Sequence, residues 1–405
     1  MKAPTQSTTR IGETCVDTQN VPPSGSPEAS KSDTKRSLST QRWSIGLGLT
    51  GSCMMNCGFC YSKSKRQASR DLRLSQWIKF VDGNIDWISA INYGTGENSV
   101  RPDWFDFIKH VRTNYPWVQQ SLTTNGYLAV AARERPGAKA LLAAALDEVD
   151  VSLDFHDAKR HNEFRGATGA YEWSIGTLEL CNDLGITPTI VCLGTEKTFD
   201  PENLDGLFDI ARKFKAMVRI NIFRPMPSMG PSAARYLLEQ ATLIRSLYRI
   251  ADRHDVLWLG DQLLAAVLTD RGNCPDPSGA SSLRILPDGT ITPSTYLIED
   301  RFVAGHIDTP RILRQLKQSA VFSQVSGTAL PDYCAGSGCP FLSRCQGGCK
   351  DRRYLWYGTL AERDPYCPFR PGNILGAGQI QLSRDTEWHS VHAGYLPTML
   401  FSPRR

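Results

Sequence analysis

The sequence predicts an α/β protein: six strand–helix units in an open, partial (β/α)6 barrel, followed by a Cys-rich C-terminal domain. Three observations predict it. Between residues 43 and 223, short apolar runs alternate with helical patterns, and strands joined by single helices pair in parallel. Gly-containing and polar motifs stand where those strands end, which is where such architectures gather their active residues. The twelve cysteines fall in groups instead of being spread along the chain.

Residues 1–42 are rich in Ser, Thr, Pro and mixed charges; they cannot bury a core and are expected to be a disordered polar tail. Residues 43–225 form the partial barrel. Its strands are predicted at 43–50, 88–94, 118–123, 149–154, 187–193 and 217–223. The helices between them fall at 74–82, 102–115, 138–146, 171–184 and 204–214, the fourth closed by Gly185. Residues 226–273 read as a helical bridge, with helices at 231–253 and 261–268 and a short strand at 256–259. Residues 274–371 form the Cys-rich domain. It opens on a hairpin at 282–293 with a Pro287-Asp288-Gly289 turn, and residues 334–367 carry little helix or strand signal. Such a segment needs a metal or a cluster to hold it together. Residues 372–405 are a C-terminal tail to which the sequence assigns no role.

Composition narrows the function. A formal net charge of +5 is spread along the 405 residues, and no basic block is interleaved with aromatics, so no nucleic-acid partner is expected. No apolar run reaches the ~18 residues of a membrane helix, so no membrane partner is expected. The N-terminus has no apolar h-region. Clustered cysteines without a signal favour metal or cluster ligation over disulfides. The expected compartment is reducing and cytoplasmic.

The most informative stretch is Cys53-Met54-Met55-Asn56-Cys57-Gly58-Phe59-Cys60, three thiols spaced C-x3-C-x2-C after an apolar strand. Three thiolates hold three corners of a cubic iron–sulfur cluster and leave one iron open. For the loop alone, a zinc site is the alternative, although zinc usually closes four positions. Gly94-Thr95-Gly96-Glu97 ends the second strand, Asn125 follows the third, and Ser152 and Asp154 end the fourth. Arg165 lies in His161-Asn162-Glu163-Phe164-Arg165-Gly166. Cys274, Cys334, Cys339, Cys345, Cys349 and Cys367 form the second group, which four-thiolate zinc would also suit. Cys181 and Cys192 lie in apolar runs and read as core thiols.

Taken in this order, the motifs resemble the radical S-adenosylmethionine (SAM) superfamily over residues 43–225, and residues 274–370 resemble its SPASM domain. The resemblance implies a 4Fe–4S cluster on Cys53, Cys57 and Cys60, with SAM bound at the open iron and cleaved to a 5′-deoxyadenosyl radical that abstracts hydrogen. It implies an aromatic, Phe59, near the adenine, where an ordinary core Phe is the alternative. It implies a turn, Gly94, Thr95, Gly96 and Glu97, that binds the methionine ammonium, with Glu97 pairing to that charge. Thr95 stands where a Gly is usual. Asn125, Ser152 and Asp154 match positions that contact the adenosyl group or the substrate, and Arg165 one that binds the SAM carboxylate; Arg224 is a further candidate. The SPASM resemblance implies one auxiliary 4Fe–4S cluster on Cys334, Cys339, Cys345 and Cys367. A second would take Cys274 and Cys349, but Ser294 stands where its next cysteine belongs, which leaves that cluster missing or incompletely ligated. The implied activity is modification of a peptide by crosslinking, epimerisation or oxidation, with tailoring of a small metabolite such as a sugar or nucleoside as the alternative. An electron donor such as flavodoxin or ferredoxin is implied with either.

Overall fold

The computed structural model describes residues 42–68, 70–269, 275–327, 330–369, 380–383 and 388–404. All but the last residue of the expected N-terminal tail, and Cys274, lie outside them.

Six strands form the core of the sheet: β1 (Trp43–Leu47), β2 (Ile88–Tyr93), β3 (Gln119–Thr124), β4 (Glu148–Ser152), β5 (Pro188–Gly194) and β6 (Met217–Ile222). Each runs parallel to the next, in chain order. Strands covered on both faces read as continuous runs rather than alternations, and β4 is buried at every residue, Glu148 and Asp150 included. The helices between them put one apolar face on the sheet. Trp104–Asn114 buries Trp104, Phe105, Phe107, Ile108 and Val111, and Pro201–Lys213 buries Leu204, Leu207, Phe208 and Ala211.

Five further strands extend this core: β7 (His254–Leu259), β8 (Ser282–Ile285), β9 (Thr290–Thr292), β10 (Gly305–His306) and β11 (Met399–Pro403). The sheet order is β10-β9-β8-β1-β2-β3-β4-β5-β6-β11-β7. It is an open sheet, with β10 and β7 at its edges. The predicted hairpin is β8–β9, antiparallel, and β8 also runs parallel to β1. The sheet of the partial barrel thus continues through β8 into the hairpin. Among the described residues, no helix is long and apolar enough to cross a membrane.

Three expectations need correction. The C-terminal tail, to which the sequence assigned no role, has a structural place: β11 inserts antiparallel between β6 and β7, and the segment before it is held at β4. Glu148 fastens that segment, accepting from Ser390 Oγ at 2.9 Å, from the His392 amide at 3.2 Å and from the Val391 amide. The helix expected over 231–253 is broken. Tight turns run over Pro227–Tyr236, and the α-helix is Gln240–Arg253. The break lets Tyr236 pack against Phe59, Phe164 and Phe223, a tertiary demand that outweighs helix propensity. Within 334–367, Lys350–Tyr357 is helical and buries Lys350, Asp351, Arg352 and Arg353. Their charge disguises a core-facing helix as a solvated one.

Candidate active site

The cysteine loop leaves β1 and is tied down at its start, where the Gly51 amide donates to Asp71 at 2.7 Å. Cys53, Cys57 and Cys60 pack with Met55, Phe59, Ala167 and Ala170, and all three thiols line one cleft enclosing ≈ 1210 Å³ of empty space, its mouth included. Burial, together with its two neighbouring thiols, pushes the Cys57 thiol up to about 11, against the pull of Arg165. Binding a metal there must therefore release a proton. Among the described residues, no three His, Cys, Asp or Glu side chains close on a single point as they would around one metal ion. A cluster suits this donor set, because each thiolate then takes a different iron.

The turn after β2 faces the same cleft with Gly94, Thr95 and Gly96. Thr95 and Gly96 both have left-handed backbones, φ 74° and 64°. A Cβ on Gly96 would lie 2.5 Å from the Thr50 carbonyl oxygen, so only glycine lets the turn press against the cysteine loop. Thr95 is a β-branched residue held in a conformation such residues rarely adopt, a form of strain that collects at functional sites.

Glu97 is not placed as the sequence expected. It is fully buried and is absent from the cleft lining. One carboxylate oxygen accepts from the Ser99 amide and hydroxyl at 3.2 and 2.7 Å; the other accepts from Thr124 Oγ1 and the Asn125 amide at 2.9 and 2.7 Å. Burial pushes its carboxyl above the usual range, opposed by those bonds. Glu97 joins the end of β2 to the end of β3 and presents no oxygen to a ligand.

Asn125 lines the cleft, and its side-chain amide donates to Cys53 Sγ at 3.5 Å. Ser152 lines it too. Asp154 lies beneath, taking Arg165 Nε at 2.6 Å and the Leu193 amide at 2.8 Å, and so holds the Arg165 guanidinium against the cleft. His161 Nδ1 accepts from the Asp154 amide at 3.1 Å; burial, helped by Arg165, pushes its pKa well below the ordinary value. Phe59 stacks on Phe164 with ring centroids 4.4 Å apart and borders the cleft. Cys192 is buried as expected, but it lines the cleft as well.

Of the remaining lining, only Arg224 was offered by the sequence; Arg219, Arg284, Thr295, Tyr296, His392 and Tyr395 join it in a second wall that was not legible there. Arg219 pairs with Asp150 at 2.8 Å, and His392 stands 3.3 Å from the same carboxylate. Burial would raise the Asp150 carboxyl, but Arg219 and His392 outweigh it and hold it at about 2. Tyr395 reaches this wall because β1 has Gly46, where a Cβ would lie 1.6 Å from the Tyr395 hydroxyl oxygen.

The second cysteine group splits. Cys334, Cys339, Cys345 and Cys367 line one cavity of ≈ 340 Å³, its mouth included. Cys349 is not part of that lining. It is fully buried, and Arg224 Nη2 stands 3.5 Å from its sulfur. Ser294 donates to Asp351 at 2.7 Å. Arg352 binds this segment to the rest of the chain from full burial, lying 2.6 Å from Asp261 and 2.5 Å from Asp364.

Comparison with known proteins agrees with this geometry. Residues 47–212 match the family model of the Radical SAM superfamily. The mycofactocin maturase MftC of Mycobacterium ulcerans is 25% identical over 330 residues, 79% of this chain and 86% of the relative. A protein of Methanosarcina mazei named "Probable GTP 3',8-cyclase" is 23% identical over 297 residues, 68% of this chain and 84% of that one. In fold, the chain resembles Streptococcus suis SuiB, solved bound to its precursor peptide SuiA, with TM-score 0.64, 14% identity, and coverage of 82% of this chain and 76% of that one. The cleft where three thiols meet a left-handed turn thus lies in the stretch, residues 47–212, that matches the Radical SAM superfamily model.

Proposed function

We propose that this radical SAM enzyme modifies a peptide, abstracting hydrogen from an unactivated carbon in a natural-product maturation that crosslinks, epimerises or oxidises it. One observation carries the reading. The likeness to a maturase runs over 330 residues, too many to fit within 47–212, so it extends beyond the superfamily domain into the segments that follow it.

In this reading Cys53, Cys57 and Cys60 hold the 4Fe–4S cluster and leave one iron for SAM. When bound, that cluster supplies the electron that splits SAM and so generates the radical that takes the hydrogen. Backbone groups of Gly94, Thr95 and Gly96, rather than the Glu97 carboxylate, receive the methionine ammonium. Arg165 takes its carboxylate, the guanidinium being oriented by Asp154, and Ser152 meets the adenosyl group or the substrate. Phe59 and Asn125 border the adenosyl group. Cys334, Cys339, Cys345 and Cys367 hold one auxiliary 4Fe–4S cluster, and a flavodoxin- or ferredoxin-like protein delivers the electron.

The test is anaerobic reconstitution followed by iron counting and product analysis. About eight irons per chain are expected from two cubane clusters. Wild type forms 5′-deoxyadenosine and Cys57→Ala forms none. A candidate precursor peptide encoded beside the gene changes mass on incubation. Cleavage of SAM by Cys57→Ala would overturn the site assignment. Turnover of a nucleotide or sugar, with no peptide modified, would overturn the substrate.

A further inference from the structure

We infer that the cleft contains a carboxylate-binding subsite centred on Arg284, and that the part of the substrate entering the cleft is anionic. Four guanidinium groups, those of Arg165, Arg219, Arg224 and Arg284, line the cleft, and among the described residues no Asp or Glu does. Arg165 and Arg219 have buried partners just beneath the surface, Asp154 and Asp150. Arg284 has none: among the described residues, no carboxylate oxygen lies within ion-pair distance of it. It is 2% exposed. It donates to the Gly94 carbonyl and stands 3.5 Å from the Tyr395 hydroxyl, and its Nε has no partner. A guanidinium carries five N–H donors in a planar fork, so this one keeps donors to spare. An unpaired buried charge is strongly unfavourable unless an anion meets it.

The surroundings are built for such an anion. Tyr395 shares a 2.6 Å hydrogen bond with Thr295 Oγ1, which fixes its hydroxyl beside the arginine. Arg224 adds a second buried cation on the same wall. Its guanidinium lies 4.3 Å over the Tyr296 ring, and its Nε also lacks a partner. Arg224 has Cys349 beside it, so Arg284 is the stronger centre. A planar carboxylate matches a guanidinium fork in two parallel hydrogen bonds. On the peptide reading, from which only the source of the anion is drawn, that carboxylate is the C-terminus or an acidic side chain.

The experiment uses the full-length, reconstituted protein with saturating SAM. Three probes are titrated: N-acetyl-trialanine, its C-terminal amide, and the same amide with one glutamate. Wild type is expected to bind either acid roughly 10–100-fold tighter than the plain amide, the range of charge-assisted hydrogen bonds. Whichever acid binds better identifies the source. Arg284→Gln should abolish the preference and Arg284→Lys should keep part of it. Equal binding of acids and amide by wild type, or an unchanged preference in Arg284→Gln, overturns the inference, and the wild-type ratio decides even if the glutamine variant fails to fold. If Arg284→Gln instead weakens SAM while decarboxylated SAM binds as before, the arginine serves the cofactor and the inference is also overturned. Acetate binding as tightly as the acidic tripeptides would leave the subsite standing and count against the peptide.

Discussion

Replacing Glu97 by Gln separates two readings of one residue. If the carboxylate met the methionine ammonium, the variant would fold normally and bind SAM weakly. The structure points elsewhere, because both oxygens are spent on Ser99, Thr124 and Asn125. Glutamine keeps the shape but offers one acceptor oxygen and one NH2 group. A hydroxyl opposite that NH2 can rotate and accept from it; a backbone amide cannot. At least one buried N–H, of Ser99 or Asn125, therefore loses its acceptor, at about 1–3 kcal/mol. Glu97→Ala strips both amides, at roughly 2–6 kcal/mol for two such groups, a large part of a typical 5–15 kcal/mol of stability, to order of magnitude (~10 kcal/mol). The assay pairs denaturant unfolding of both variants with SAM binding by equilibrium dialysis. Gln should unfold earlier than wild type and Ala earlier still. SAM affinity should fall only as far as the turn loosens. A Gln variant as stable as wild type that has lost SAM binding would refute the reasoning.

Three other outcomes are expected. Arg352→Met leaves Asp261 and Asp364 buried without their cation, destabilising by about 3–5 kcal/mol; an unchanged melting temperature would contradict this. His254 stacks on Phe208 at 3.8 Å, and burial, with Arg212, lowers its pKa to about 4. A lowered histidine pKa gives stability that is present above its unfolded value near ~6.5 and is lost as pH falls through the folded value. Wild type should therefore weaken as pH falls from ~6.5 to about 4, and His254→Phe should flatten that slope; an identical slope in the variant would count against it. Gly46→Ala drives a methyl into the Tyr395 ring, destabilising by about 1–3 kcal/mol; in a Tyr395→Ala background the same change should cost little in a thermal melt, and an undiminished cost there would place the strain elsewhere.

What the sequence could and could not convey follows from the range of each interaction. The six parallel strands were legible because strand and helix periods are local, and the thiol loop because ligation demands one residue type at short spacings. The Gly94–Glu97 turn was legible as a turn, but a motif does not say which way a carboxylate points; that depended on Ser99 and Thr124. The wall of Arg219, Arg284, His392 and Tyr395 comes from β6, β8 and the segment before β11, distant in sequence and joined only by packing. Its single local trace, Gly46 in an otherwise apolar strand, is mute until Tyr395 is seen against it. The same logic bears on the second cysteine group. The sequence shows that Ser294 stands where a ligand would be. Only the structure shows what occupies the place: Ser294 is bonded to Asp351, and Arg224 stands beside Cys349. The serine hydroxyl is satisfied there by a carboxylate, as a buried polar group should be. Arg224, beside Cys349, also lines the cleft, so the second cysteine group and the cleft meet at this residue.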